Sequence, residues 1–201
     1  RFPDLRTPQD LRRIVDSLRQ RSEGRPIGIK IAAGNLEADL KFALAAGPDF
    51  LTLDGRAGAT GAAPKFVKDA TSVPTIHALC RARKLLDQQP AQQVSLVVTG
   101  GMRISADFAK ALALGADGIA ISNSALQAIG CLGMRACDTN NCPVGIATQR
   151  SDLRARLEIA KSARQLANFF EATTGLDHRP LLLQVPLFAE VVHHRPGRGD
   201  G

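Results

Sequence analysis

Five short, almost wholly apolar runs, each tied to a stretch with helical spacing, constrain this chain more than any other feature. They are IGIKIAA (27–33), DFLTLDG (49–55), VPTIHAL (73–79), VSLVVTGG (94–101) and GIAISN (118–123). A strand with one wet face alternates apolar and polar residues, whereas a strand buried on both faces reads as a continuous apolar run. The segments between them have a different period. Asn35 caps a helix through Leu36, Leu40 and Leu44, CRARKLLDQQ follows the third run, and Ser105 caps a helix to about Leu114. Gly115-Ala116-Asp117 then leads into the fifth run. Upstream, Thr7-Pro8 opens a helix as a cap residue followed by proline at the first position. Leu11, Ile14, Val15 and Leu18 recur on its inner face, Arg12, Arg13, Asp16 and Arg19 on its outer one, and Gly24 and Pro26 stop it. Strands alternating with helices give a parallel sheet covered by helices. The fold class is therefore α/β. Five such units fit an open doubly wound sheet or the larger part of a (β/α)8 barrel, which takes ~250 residues when complete. On the barrel reading the first three strands lie outside this chain.

With 201 residues, 44% of them hydrophobic, one sizeable core is expected. No apolar run approaches the ~20 residues of a membrane span. No leader pattern follows Arg1. The expectation is a soluble, cytoplasmic chain with no membrane partner. The net charge of +7 raises a nucleic-acid surface. Its basic residues are scattered over RTPQDLRRIVDSLRQR, RARK, RSDLRARLEIAKSAR and the tail, as on the wet faces of helices, and there is no Tyr or Trp to stack on bases. Nucleic acid is not expected as a partner.

Two strand ends carry the strongest chemical signal. The run ending in Gly100-Gly101 is followed by one ending in Ser122-Asn123-Ser124. Glycines let backbone N–H groups approach phosphate oxygens, and a helix start adds partial positive charge. In a barrel, the loops after the last two strands form the usual phosphate site. The loop LDGRAGATGAAP (53–64) has small residues at Gly55, Gly58, Gly61 and Ala62, able to lie flat on a planar ligand, with Thr60 offering a hydroxyl. Lys30 has apolar neighbours on both sides in its strand, and a lone buried ammonium is too costly to leave unpaired. Facing a barrel interior, it is placed to hold a substrate carboxylate or negative charge on a reduced flavin.

Three of the four cysteines crowd into CLGMRACDTNNCPVG (131–145). Soft thiolates suit zinc or iron–sulfur. Zinc usually takes four ligands, and neither a nearby His nor a fourth Cys completes that set, since Cys80 lies far upstream. A disulfide framework does not suit a chain without an export signal. Spacers of five and four residues have the contour to wrap a compact cluster, and three ligands without a fourth point to a three-iron one. Ordinary buried thiols are the plainer reading. His77 is expected to end a strand as a packing or ligand-lining residue, and His193-His194 sit in a polar tail. SDLRARLEIAKSARQLANFFEATTG (151–175) reads as one capped amphipathic helix, with Leu153, Leu157, Ala160, Leu166, Phe169 and Phe170 on the inner face. The organisation expected is a partial barrel over 1–130, a cysteine loop over 131–150, and a helix with a polar tail over 151–201.

From Gly28 to Arg154 the chain resembles the FMN-binding central domain of the glutamate synthase family. The likeness rests on TGAAP (60–64), VVTGGMRISADFAKALALGAD (97–117) and above all CLGMRACDTNNCPVGIATQ (131–149). It implies that Cys131, Cys137 and Cys142 hold a 3Fe-4S cluster. It also implies that FMN sits at a barrel mouth with its phosphate on Gly100, Gly101, Ser122, Asn123 and Ser124. Lys30 and the loop of Gly58, Thr60 and Gly61 would line the flavin and the 2-oxoglutarate site. The implied reaction reduces 2-iminoglutarate, formed from 2-oxoglutarate and ammonia, to glutamate. The electrons would come from ferredoxin or a pyridine-nucleotide subunit, and the ammonia from a glutaminase domain that this chain lacks. Ala59 stands where the family's loop often has glycine, and Ala57 where it often has an acid. GGMRISADFAKALALGAD also resembles the inosine-monophosphate dehydrogenase type, in which the catalytic cysteine precedes the Gly-Gly loop; here the cysteines follow it. A non-catalytic iron–sulfur electron carrier is the alternative from another class.

Overall fold

The computed structural model describes residues 3–56, 58, 63–89 and 93–175. Helix α1 (Pro8–Arg21) leads into strand β1 (Gly28–Ala32), helix α2 (Leu36–Leu44) and strand β2 (Phe50–Asp54). Helices α3 (Lys65–Ala70) and α4 (Thr75–Asp87) precede strand β3 (Ser95–Thr99). Helix α5 (Ser105–Ala113), strand β4 (Gly118–Ile119), helix α6 (Asn123–Ala128), helix α7 (Ser151–Arg154) and helix α8 (Ile159–Gly175) complete the described order.

The sheet is parallel with strand order β1-β2-β3-β4, so every strand lies beside its neighbour in sequence. A doubly wound sheet reverses its order at a switch point and carries helices on both faces. Among the described residues this sheet does neither. Leu51, Leu53, Leu96 and Val98 form one core with Leu36 and Leu40 of α2, Leu79 and Ala82 of α4, and Phe108 and Ala111 of α5. The other face carries Lys30, Thr52 and Val97 in one register row and Ala32, Asp54 and Thr99 in the next. Helices on one face and polar groups on the other describe a stretch of barrel wall.

The third expected strand is absent: residues 73–79 give only one bridge, Arg56 to Pro74. The β-branched residues Val73, Thr75 and Ile76 suggest a strand, but Thr75, Ala78, Leu79, Ala82, Leu85 and Leu86 are the buried positions, and their spacing is helical. α4 therefore starts at Thr75, directly after Pro74. Val73 instead wedges between the ends of β1 and β2, donating its N–H to Ala33 O (2.9 Å) and accepting from Arg56 N (2.7 Å).

Other local expectations are refined. Thr7 caps α1 as expected, with the Asp10 N–H donating to its Oγ1 (3.2 Å) and its own N–H donating to Asp10 Oδ2 (2.8 Å). Of that helix's apolar face only Val15 is buried, while Ile14 and Leu18 remain exposed. Ser105 is the first residue of α5, not its cap; Ile104 holds the cap position, and the Asp107 carboxylate accepts from the Arg103 and Ile104 N–H groups (3.0 and 3.3 Å). The segment expected as one helix over 151–175 is two, interrupted at residues 155–158, and Ala160 is exposed rather than inward. No described helix is long and apolar enough to cross a membrane.

Candidate functional site

The carboxyl ends of the strands converge on one cavity of ≈ 350 Å³. That volume lies in the range of small-molecule sites, which in parallel α/β sheets open at this end of the strands. Of the residues singled out from sequence, Lys30, Gly58, Gly100, Gly101, Ser122 and Asn123 all line it. Ser124 does not; it is buried beneath, its Oγ without a hydrogen-bond partner among the described residues. Thr60 and Gly61 lie outside the described residues, as do Ala57, Ala59 and His193-His194.

Gly100 is required by two constraints at once. Its φ is +110°, a region side chains avoid, and a Cβ there would sit 2.5 Å from Gly55 O and 2.9 Å from Thr75 Oγ1. The ends of β2 and β3 thus meet backbone to backbone. The Gly55 N–H donates to Thr99 O (3.0 Å), and the buried Thr75 hydroxyl donates to Gly100 O (2.6 Å). The glycine pair floors the cavity on a fixed turn.

Lys30 is not the enclosed lysine that its apolar neighbours suggest. Its side chain is 59% exposed and reaches across the sheet face opposite the helices to Asp54 Oδ2 at 2.8 Å. The partner demanded of it is therefore present, in the neighbouring strand. Asp54 Oδ1 is buried with no donor among the described residues, packed so closely against Gly58 that a Cβ there would collide with it. Sequence reasoning missed Asp54 and Arg103, which both line the cavity. The signal for Asp54 was available: Lys30 needs a counter-ion, and Asp54 ends the adjacent run. Arg103 follows the glycine pair by two residues and belongs to none of the basic runs weighed from the sequence. His77, expected at a strand end, is exposed in the first turn of α4 and does not line the cavity.

A six-residue helix, α6, separates this cavity from the cysteine loop. Ser122 and Asn123 stand at its start, and Cys131 follows its end, its N–H donating to Leu126 O (2.9 Å). At ~1.5 Å per residue α6 is about 9 Å long. Cys131, Cys137 and Cys142 line one small cavity of ≈ 20 Å³ with Leu132, Met134 and Val144. Cys142 is buried and the other two are half-buried. Among the described residues no three metal-ligating side chains are gathered closely enough to form a ready coordination sphere. Burial raises the Cys142 thiol pKa, but the backbone N–H groups of Ala147, Val144, Ile146 and Gly145 outweigh it, and the net shift is downward. A thiol surrounded by N–H donors is prepared to act as thiolate, the form that binds metal.

The residues present fit both groups expected from the sequence. For a phosphate-bearing flavin there are two cationic side chains, Lys30 and Arg103, and a glycine turn whose space a Cβ would fill. For an iron–sulfur cluster the donor set is three soft sulfurs on one loop, one of them in a nest of N–H groups.

A singly wound parallel sheet with a cavity at its strand ends, followed by a cysteine loop, defines the class as an α/β chain of barrel-wall type. Comparison with known proteins then supplies the family. The family model described as "Conserved region in glutamate synthase" matches residues 1–178. The archaeal-type glutamate synthase [NADPH] of Thermotoga neapolitana is 37% identical over 172 residues, covering 84% of this chain and 34% of the relative. The archaeal glutamate synthase [NADPH] of Methanocaldococcus jannaschii is 36% identical over 174 residues, with 85% and 34% covered. A glutamate synthase large subunit-like protein of Rhizobium meliloti is 35% identical over 192 residues, with 87% and 43% covered. The chain belongs to the glutamate synthase family. It spans about a third of the length of the archaeal-type relatives it matches.

Proposed function

We propose that this chain is the flavin- and cluster-binding portion of a glutamate synthase-type oxidoreductase, forming glutamate from 2-oxoglutarate by way of 2-iminoglutarate. The observation that carries this reading is the convergence of Lys30, Gly58, Gly100, Gly101, Ser122 and Asn123 on one cavity, one short helix away from three cysteines.

In this reading residues 1–130 form part of an FMN barrel, 131–150 the cluster loop, and 151–201 a helix and tail. Gly100, Gly101, Ser122, Asn123 and Ser124, joined by Arg103, hold the FMN phosphate, and Gly58, Thr60 and Gly61 lie along the ring system. Lys30 receives a substrate carboxylate. Asp54 keeps that ammonium turned toward the cavity. Cys131, Cys137 and Cys142 hold a 3Fe-4S cluster. When bound, the cluster and flavin supply the electron transfer and hydride chemistry, which belong to the cofactors. The chain's own residues bind, orient and charge-balance the ligands. Ammonia would come from a glutaminase activity and electrons from a partner; the relatives' names specify NADPH, which favours a pyridine-nucleotide donor over ferredoxin.

The test is a titration of the anaerobically handled protein with FMN and, separately, with riboflavin. Quenching of FMN fluorescence with much weaker quenching of riboflavin is expected, because the phosphate contacts are the ones the cavity offers. Equal affinity for the two flavins contradicts the phosphate assignment. Iron without flavin favours an electron carrier, and neither cofactor overturns the reading.

A further inference from the structure

The three cysteines are not held alike. The segment from Asn140 to Thr148, which contains Cys142, is closed on itself. Thr148, buried to 8% exposure, donates its hydroxyl to Asn140 O (2.6 Å), and Asn140 Oδ1 stands 3.1 Å from the same hydroxyl. Asn140 Oδ1 also accepts the Gln149 N–H (2.6 Å), and Thr148 Oγ1 accepts the Arg150 N–H (3.1 Å). Asn140 adopts φ +61°, a left-handed conformation that Asn tolerates better than most residues. Two arginines fasten the clasp from outside: Arg150 Nη1 donates to Asn141 Oδ1 (2.7 Å) and Arg156 Nη1 to Pro143 O (3.1 Å). Within this ring Cys142 is 7% exposed.

The other arm differs. Leu132, Gly133, Met134 and Arg135 are exposed, and among the described residues no side-chain hydrogen bond ties 131–135 to the rest of the chain. Cys131 and Cys137 therefore flank an exposed segment without such side-chain ties, anchored at its ends by the Cys131 N–H on Leu126 O (2.9 Å) and the Thr139 hydroxyl on Ala136 O (2.9 Å). The ring around Cys142, by contrast, is closed by hydrogen bonds that need no metal.

We propose that Asn140 and Thr148 are positioning residues that preset Cys142 before any metal is bound, leaving Cys131 and Cys137 to close onto it. The significance for a cluster rests on the function proposed above; the presetting itself does not. Holding one ligand in advance lowers the ordering cost that metal binding must overcome, since a ligand loop otherwise becomes ordered only as the metal enters.

The experiment is alkylation of the chelator-treated, reduced protein by iodoacetamide, with the rate at each cysteine followed by mass spectrometry. Exposed Cys80, on α4, serves as an internal reference. Cys142 should react more slowly than Cys131 and Cys137. Thr148→Val should speed alkylation of Cys142 about tenfold, the size of local opening expected when a buried hydrogen bond is lost. Cys80 should be unchanged. Thr148→Ser, which keeps the hydroxyl, should restore protection, and Asn140→Gly, which accepts the same φ, should expose Cys142 as Thr148→Val does. If Thr148→Val disturbs the whole fold, seen as a lost helical circular-dichroism signal, the Asn140→Gly and Thr148→Ser pair decides. Equal rates at all three loop cysteines in the native protein, or no change at Cys142 in Asn140→Gly, overturn the proposal. Iron uptake is scored separately. A protected Cys142 in a protein that takes up no iron leaves the presetting standing and removes the cluster.

Discussion

Lys30 Nζ and Asp54 Oδ2 meet at 2.8 Å on the sheet face opposite the helices, although the register pairs Lys30 with Thr52. The ion pair is diagonal: it joins the middle of β1 to the end of β2. It gives the cavity a cation and an anion side by side, with Arg103 as a second cation.

This pair should matter little for stability and much for binding. Lys30 is more than half exposed, and such pairs contribute about 0–1 kcal/mol. Among the described residues Asp54 Oδ1 has no donor, so Asp54→Asn removes a desolvated charge. Urea denaturation should show Asp54→Asn within about 1 kcal/mol of the native protein. Calorimetry should show weaker 2-oxoglutarate binding for both Asp54→Asn and Lys30→Ala. Unchanged binding in Lys30→Ala removes that lysine from the site.

Arg103→Ala should reduce affinity for FMN by roughly one to two orders of magnitude, the value of a charge-assisted contact to phosphate, and leave riboflavin unaffected. Fluorescence titration of both flavins reads the difference. A parallel loss for riboflavin would assign Arg103 to the ring system instead.

Gly145→Ala should loosen the cysteine loop without touching any cysteine. Gly145 has φ +80°, and a Cβ there would collide with Leu153 O in α7. A side chain in such a position costs of order 1–3 kcal/mol. Loss of protection in hydrogen exchange, confined to residues 140–157, is the expected pattern. An unchanged exchange profile would show that the loop absorbs the strain.

Acid should fray the start of α1 in a defined window. The Thr7 backbone N–H, then its hydroxyl, and Arg13 hold the Asp10 carboxyl down at about 2. A depressed folded-state pKa contributes stability that is present above the ordinary carboxylate value of 3.8 and is lost as pH falls through about 2. Resonances of residues 7–10 should shift between those two values. In Asp10→Asn that pH dependence should vanish. A titration of Asp10 at its ordinary value would contradict the capping geometry.

The β/α alternation was readable because Leu51, Leu53, Leu96 and Val98 are buried whatever lies on the other face. The third strand was misread because Val73-Pro74-Thr75-Ile76 carries strand-like residue types, while the helical period shows only over the longer span from Thr75 to Leu86. Sequence spacing placed Gly100, Gly101, Ser122 and Asn123 together, since each follows a strand end. It could not show that Lys30 is exposed, because IGIKIAA is apolar on both sides and the exposure of Lys30 depends on β1 standing at the end of the strand order. The clasp of Asn140 and Thr148 was equally hidden: it joins residues eight apart in an irregular loop, where no periodicity operates.

In the function proposed above, one chain holds a flavin and, a short helix away, an iron–sulfur cluster on Cys131, Cys137 and Cys142. The most direct measurement is electron paramagnetic resonance of the anaerobically purified, oxidised protein, run beside its Cys137→Ser variant, with iron, sulfide and FMN assayed on the same samples. The native protein should carry FMN and give a 3Fe-4S signal that disappears, together with its iron, in Cys137→Ser while FMN remains. A folded native protein free of iron, or a variant with undiminished iron, would contradict it.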